Sequence, residues 1–146
     1  KWFDNRVPSN EMLSKDNTLE LYAKKTVDNY FRHFNSYELD LAANVILSLA
    51  INTNLYLNEK QPWTLIKDEK NIPLVSNIIY NVLESTRIVG LLLLPILPNL
   101  SSKIDQQLGL LYNEKESWKK QLDWGKLIHE SILPAPNPVI EKLEYE

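Results

Sequence analysis

The sequence predicts an all-α protein, an antiparallel helical bundle with short loops. Three observations carry that prediction. Apolar residues recur at three- and four-residue steps over long stretches, the signature of helix faces. The chain holds only 3 glycines in 146 residues, too few for a fold of β-hairpins or phosphate-cradling loops. Its prolines cluster near the ends of the periodic stretches, where they start or stop helices rather than break them.

Taken in order, the elements read as follows. Asn17 reads as an N-cap with Glu20 three residues on, close to a capping box. From there Leu19, Tyr22, Ala23, Val27, Tyr30, Phe31 and Phe34 share one helical face. Lys24, Lys25, Asp28 and Arg32 lie on the other. Asn35 or Ser36 is expected to cap a second helix that runs to about Asn58. That helix is apolar nearly all round, with a thin polar stripe of Asp40, Asn44, Ser48 and Asn52. Such a pattern predicts a central helix buried among neighbours.

Past its end comes Pro62-Trp63. Proline cannot continue the helix, and it biases Gln61 toward extended geometry. Trp63 is therefore expected on a rigid corner. Its ring either packs inward or offers its face to a nucleobase.

A third long helix opens at Pro73. It buries Val75, Ile78, Ile79, Val82, Leu83, Val89 and Leu92, and Pro95 stops it. Asn99 is expected to cap the next helix, whose Leu100, Ile104 and Leu108 lie four apart and which Gly109 ends. A short turn starts at Ser117. After Leu133, Pro134, Pro136 and Pro138 prevent helix and favour an extended tail. The helical unit is thus residues 1–133 and the tail residues 134–146. Lys1-Trp2-Phe3 begins abruptly, which predicts a further bundle helix upstream of Lys1.

Composition narrows the function. Hydrophobic residues make up 44%, enough for a real core. The net charge of -3 gives no global pull toward nucleic acid. An RNA partner would have to be met by a local patch and by stacking, and neither DNA nor a membrane is expected as a partner. The greasiest run, Ile88 to Leu97, falls well short of the roughly 20 apolar residues of a membrane span. There is no cysteine, which suits a reducing cytosol. His33 and His129 are the only histidines, and neither has a partner at metal-ligand spacing. No catalytic motif occurs. The chain by itself reads as a non-catalyst.

At this point the residues resemble a family. Lys1, Phe3, Asp4, Val7, Pro8 and Ser9 open the pattern. Asn54, Tyr56, Pro62, Trp63, Leu65, Lys67 and Asp68 follow. Then come Leu93, Pro95, Pro98, Lys103, Ile104, Gln107, Leu108 and Gly109. Trp124, Gly125, Pro136, Pro138, Lys142, Leu143 and Glu144 close it. In this collinear order they resemble the C-terminal anticodon-binding domain of methionyl-tRNA synthetases, and the resemblance runs over essentially the whole chain.

The resemblance implies a helical bundle of the class I aminoacyl-tRNA synthetase anticodon-binding type. It implies an enzyme fragment, part of a methionine–tRNA ligase whose catalytic domain lies outside these residues. ATP and methionine would bind to that domain, and no cofactor is implied in this fragment. The implied partners are the anticodon loop of methionine tRNA, read at CAU, and the catalytic domain itself. The implied location is cytoplasmic, or organellar.

Residue by residue, the family's stacking ring falls to Trp63, with Pro62 setting the corner. Asn58 stands where bacterial members often carry aspartate, and its amide offers both a donor and acceptors to base edges. Lys60 and Lys67 are placed to touch phosphates, although Glu59, Asp68 and Glu69 balance Lys60, Lys67 and Lys70. The family's further anticodon residues, an Asn and an Arg one turn apart, would lie upstream of Lys1. Its ATP-binding signatures are absent. Two other readings stay open at this stage: the equivalent domain of another class I synthetase, and a helical protein-interaction module.

Overall fold

A computed structural model describes residues 2–9, 16–110 and 116–140. Lys1 and the closing Lys142, Leu143 and Glu144 of the resemblance lie outside them. The described residues are helical, with one isolated antiparallel bridge and no ladder.

Helix α1, Thr18–Asn35, buries Leu19, Ala23, Thr26 and Tyr30, and Phe31 and Phe34 pack beside them. This is the expected face with one polar addition, Thr26. The cap differs from expectation. Asn17 makes no side-chain capping bond, and Asp16 accepts from the Thr18 amide at 3.0 Å instead. At the other end, Ser36 closes α1 and Tyr37 turns the chain in a left-handed conformation, φ 60°. Helix α2, Leu39–Lys60, therefore starts later than Asn35 or Ser36 would place it.

Helix α2 is not the central helix. Ala42, Ile46, Leu49, Thr53 and Tyr56 recur at four- and three-residue steps and form its buried stripe. It packs on α1 and on a later helix, α4 (Ile72–Leu93), while Leu47, Ile51 and Leu55 on its outward side are exposed. The expectation failed because all-round apolarity reports sequence, not neighbours. The centre is α4, Ile72–Leu93, which contacts α1, α2, α5 (Pro98–Gln107) and the short α3 (Pro62–Leu65). Val75, Ile78, Tyr80, Ile88 and Leu92 are its buried apolar anchors. The main core lies where Ala23, Tyr30, Ile46, Leu49, Ile88 and Leu92 meet.

Helix α5, Pro98–Gln107, begins on Pro98 itself, so Asn99 sits inside the first turn and caps nothing. Proline at the first position is pre-set for helix and has no amide to satisfy. Gly109 follows at φ +67°, and a Cβ there would stand 2.7 Å from the Ile132 carbonyl oxygen. A left-handed turn beside that backbone requires glycine. Ser117 precedes a one-turn α6, Trp118–Gln121, as expected.

The chain ends are clipped together on α4. Val7 donates to the Ser131 carbonyl and Glu130 to that of Val7, both at 2.9 Å. The His129 ring stacks on Tyr80 at 4.7 Å, and its Nδ1 donates to the Pro8 carbonyl at 3.2 Å. His33 meets Glu38 at 2.7 Å across the α1–α2 turn. Residues 133–138 form no helix and no ladder. Asn137 donates its backbone N–H to the Gln107 side chain, and Lys103 reaches the Val139 carbonyl, so this segment lies along α5.

The strongest tether is a buried pair on α4. Glu84 is 0% exposed and Arg87 4%. Glu84 accepts from Arg87 Nη2 at 2.6 Å and from the backbone amides of Gly125, Lys126 and Leu127 at 2.8 to 3.0 Å. Arg87 donates onward to the carbonyls of Gln121 and Asp123. The two charges are paired and further hydrogen-bonded, the condition under which buried ions are tolerated. The pair holds residues 121–127 against the bundle, and Trp124 packs there.

Candidate nucleic-acid interface

The end of α2 and the start of α3, Pro62–Leu65, form one tight corner. Gln61 joins them in the left-handed conformation, φ 47° and ψ 56°. This corrects the extended geometry expected of a residue before proline. The reason is that Gln61 serves two helices at once. Its amide donates to the Leu57 carbonyl and closes α2, while its own carbonyl accepts from Thr64 at 2.9 Å and opens α3. A left-handed residue reverses the chain within one step, as at other helix ends. Below the corner Asp68 caps a single 3-10 turn, Glu69–Asn71, that leads into α4.

Pro62 is the buried residue of α3. Trp63, next to it, is 45% exposed. The corner is thus anchored through the proline, and the indole projects from a backbone fixed on both sides. Asn58 is exposed on the last turn of α2, and Lys67 is exposed beyond α3. Lys67 makes no ion pair among the described residues, so its ammonium is available to a phosphate.

Lys60 is differently placed. Its ammonium pairs with Asp16 at 2.7 Å and sits 5.4 Å from the Tyr56 ring centre. Burial works to raise the Asp16 pKa, but hydrogen bonds from Lys60 and Thr18 outweigh it and hold the carboxyl at about 2. Burial, opposed by a hydrogen bond from Asn81 and aided by the Asp16 charge, pushes the Tyr56 hydroxyl up to about 12. Asn81 Nδ2 donates to the Asp16 carbonyl at 2.9 Å. So Asp16, Lys60, Tyr56 and Asn81 lock the end of α2 to the start of α1 and to α4. The structure brings Asn58, Pro62 and Trp63 onto one corner with Lys67 at its edge, while Lys60 is drawn into this lock.

The sequence reading missed both the lock and the Glu84–Arg87 pair. The second left a signal: Glu84 and Arg87 are the charged residues of an otherwise uncharged helix, one turn apart. The first left none, because Asp16 and Lys60 are distant in sequence and each looks like a solvated surface charge. Among the described residues no His, Asp and Glu side chains gather into a metal-binding group, and no helix is long and apolar enough to cross a membrane.

The family described as the anticodon binding domain of methionyl tRNA ligase matches residues 7–145. A methionine–tRNA ligase from Nostoc sp. is 31% identical over 141 residues, covering 93% of this chain and 26% of that protein. Methionine–tRNA ligase 1 of Bacillus cereus is 29% identical, covering 100% of this chain and 22% of that protein. In three dimensions the chain is similar to free methionyl-tRNA synthetase from Mycobacterium tuberculosis, with a TM-score of 0.89 and 27% identity, over 100% of this chain and 29% of that one. The chain therefore spans about a quarter of the length of the relatives it matches.

Proposed function

Because the chain belongs to the anticodon-binding domain family of methionyl-tRNA ligases, we propose that its Pro62-Trp63 corner grips the anticodon loop of methionine tRNA. Trp63 is the stacking platform and Pro62 its anchor. An unpaired loop base can splay out onto an aromatic face, and each such stack contributes about 1–3 kcal/mol. Asn58, one turn before the corner, presents an amide that can both donate to and accept from a base edge. Lys67 supplies a phosphate contact. Lys60, already neutralised by Asp16, adds little, so few counterions are released and the dependence on salt is shallow.

In this reading the chain is the tRNA-selecting part of a longer ligase. A catalytic domain elsewhere in that protein binds ATP and methionine and joins methionine to the tRNA whose CAU anticodon is held here. The observation that carries the reading is the half-exposed indole beside a buried proline on a doubly hydrogen-bonded corner. A competition assay tests it. A stem-loop bearing CAU should displace a labelled CAU stem-loop at least about 10-fold better than loops with other anticodons, the discrimination expected of one good base contact. Equal displacement by all loops would leave only non-specific binding, and preference for another anticodon would point to a different class I synthetase.

A further inference from the structure

A polar cavity of about 280 Å³ lies between the start of α1 and the first turns of α4. Asp16 and Glu20 line one side of it, and Asn77, Tyr80 and Asn81 of α4 line the other. Trp124, Gly125 and His129 complete the lining. That last wall is fixed in place, since Glu84 accepts from the amides of Gly125, Lys126 and Leu127. The cavity is therefore preformed, as ligand sites usually are.

Its lining has acceptors to spare. Every side-chain bond of Asn81 leaves from Nδ2, toward the Asp16 carbonyl, the Tyr56 hydroxyl and Asn77 Oδ1. The Asp16 carbonyl can only accept, which fixes the orientation of the amide. Asn81 is 3% exposed, yet its carbonyl oxygen has no partner among the described residues. Buried polar atoms are ordinarily satisfied, so this oxygen is left for a donor inside the cavity. Asp16 accepts on one oxygen from Thr18 and on the other from Lys60, and each oxygen keeps a further lone pair. Glu20 accepts from Lys24 through Oε1 at 2.6 Å, which leaves Oε2 unused among the described residues. Neither lysine lines the cavity. The lining thus holds two carboxylates and no lysine or arginine.

We propose that this cavity binds a small organic cation, an ammonium group on a short alkyl body. An ammonium carries three donors for the three kinds of acceptor present, Asn81, Asp16 and Glu20. Trp124 and Tyr80 offer aromatic walls to the alkyl body, and a cation is itself attracted to such a face. An anion would meet two carboxylates. A bare metal ion is a poor occupant, because among the described residues no three His, Asp or Glu side chains gather to hold one. Neither Trp63 nor Lys67 lines the cavity, so the proposal is independent of the RNA reading.

Butylammonium is the probe, added without RNA to nitrogen-labelled protein at constant ionic strength in sodium chloride. The indole N–H resonance of Trp124, identified by its loss in Trp124→Phe, should move and saturate with a dissociation constant on the order of 1 mM. Butanol, of the same length and without the charge, should leave it in place over the same range. Glu20→Gln should weaken binding at least about 10-fold, the loss of a charge-assisted bond. The Glu20 side chain is 31% exposed, so the variant keeps its fold. Asp40→Asn removes the same charge from the first turn of α2 and should bind as the parent does. An equal response to butanol, a shift that never saturates, parental affinity in Glu20→Gln or an equal loss in both charge variants would overturn the proposed site.

Discussion

Trp63→Ala weakens binding of a CAU anticodon stem-loop by roughly 10- to 100-fold, the loss of one base–aromatic stack, while the helices stay intact. The ring is half exposed, so its removal opens no large cavity. The backbone of the corner is held by Gln61 and Pro62, not by the indole. Stability and affinity should therefore separate, with little change in the urea midpoint and a large change in the dissociation constant. Trp63→Phe should recover part of the affinity, since a smaller ring still presents a π face. Fluorescence anisotropy of a labelled stem-loop measures the first effect, and circular dichroism in urea the second. An Ala variant with parental affinity would remove Trp63 from the interface, and one that unfolds would make it a structural residue.

The largest effect on stability is expected at Glu84. Removing one member of a buried ion pair costs about 3–5 kcal/mol, because the remaining charge is left without a partner in a dry interior. Glu84→Ala also strands the amides of Gly125, Lys126 and Leu127, which the carboxylate now satisfies. Against a typical total of about 5–15 kcal/mol, such a loss brings the variant close to the unfolding threshold. A double variant, Glu84→Leu with Arg87→Met, removes both charges and should be more stable than Glu84→Ala alone, since apolar replacement of a whole buried pair is commonly tolerated. Urea denaturation of the parent and both variants measures this. A loss below about 1 kcal/mol for Glu84→Ala would mean that residues 121–127 are not held through the pair.

Much of this was legible in the sequence, and the failures share a cause. The apolar face of α1 follows from spacing alone, because a periodic stripe must be buried against something; on α4 Val75, Ile78, Val89 and Leu92 are buried as read, while Ile79, Val82 and Leu83 are only partly so. Gly109 at a helix end and Ser117 before a short turn were equally plain, since each is a local requirement of backbone geometry. Caps were less legible. Asn17 and Asn99 are good capping residues, but Asp16, fixed by Lys60, and Pro98, pre-set for helix, displaced them. The role of α2 was misjudged because composition cannot say how many neighbours a helix has. Gln61 was misjudged because a local bias toward extended backbone was outweighed by hydrogen bonds that close one helix and open the next.

The corner itself was visible as Pro62-Trp63. What could not be read was which charges around it are already spent. Lys60 and Lys67 look alike in the sequence, yet one is held by Asp16 and the other stands in solvent. Only tertiary packing separates them.

The central claim is that the Trp63 ring turns its face to an RNA base. The most direct measurement labels the tryptophans with fluorine and follows them by NMR as a CAU stem-loop is added. The chain has 4 tryptophans, and loss of one signal in Trp63→Phe assigns the resonance that matters. The Trp63 resonance should move with saturation of the RNA, while those of Trp118 and Trp124, packed against the bundle core, stay in place. A Trp63 resonance that does not move at saturating stem-loop would contradict the claim.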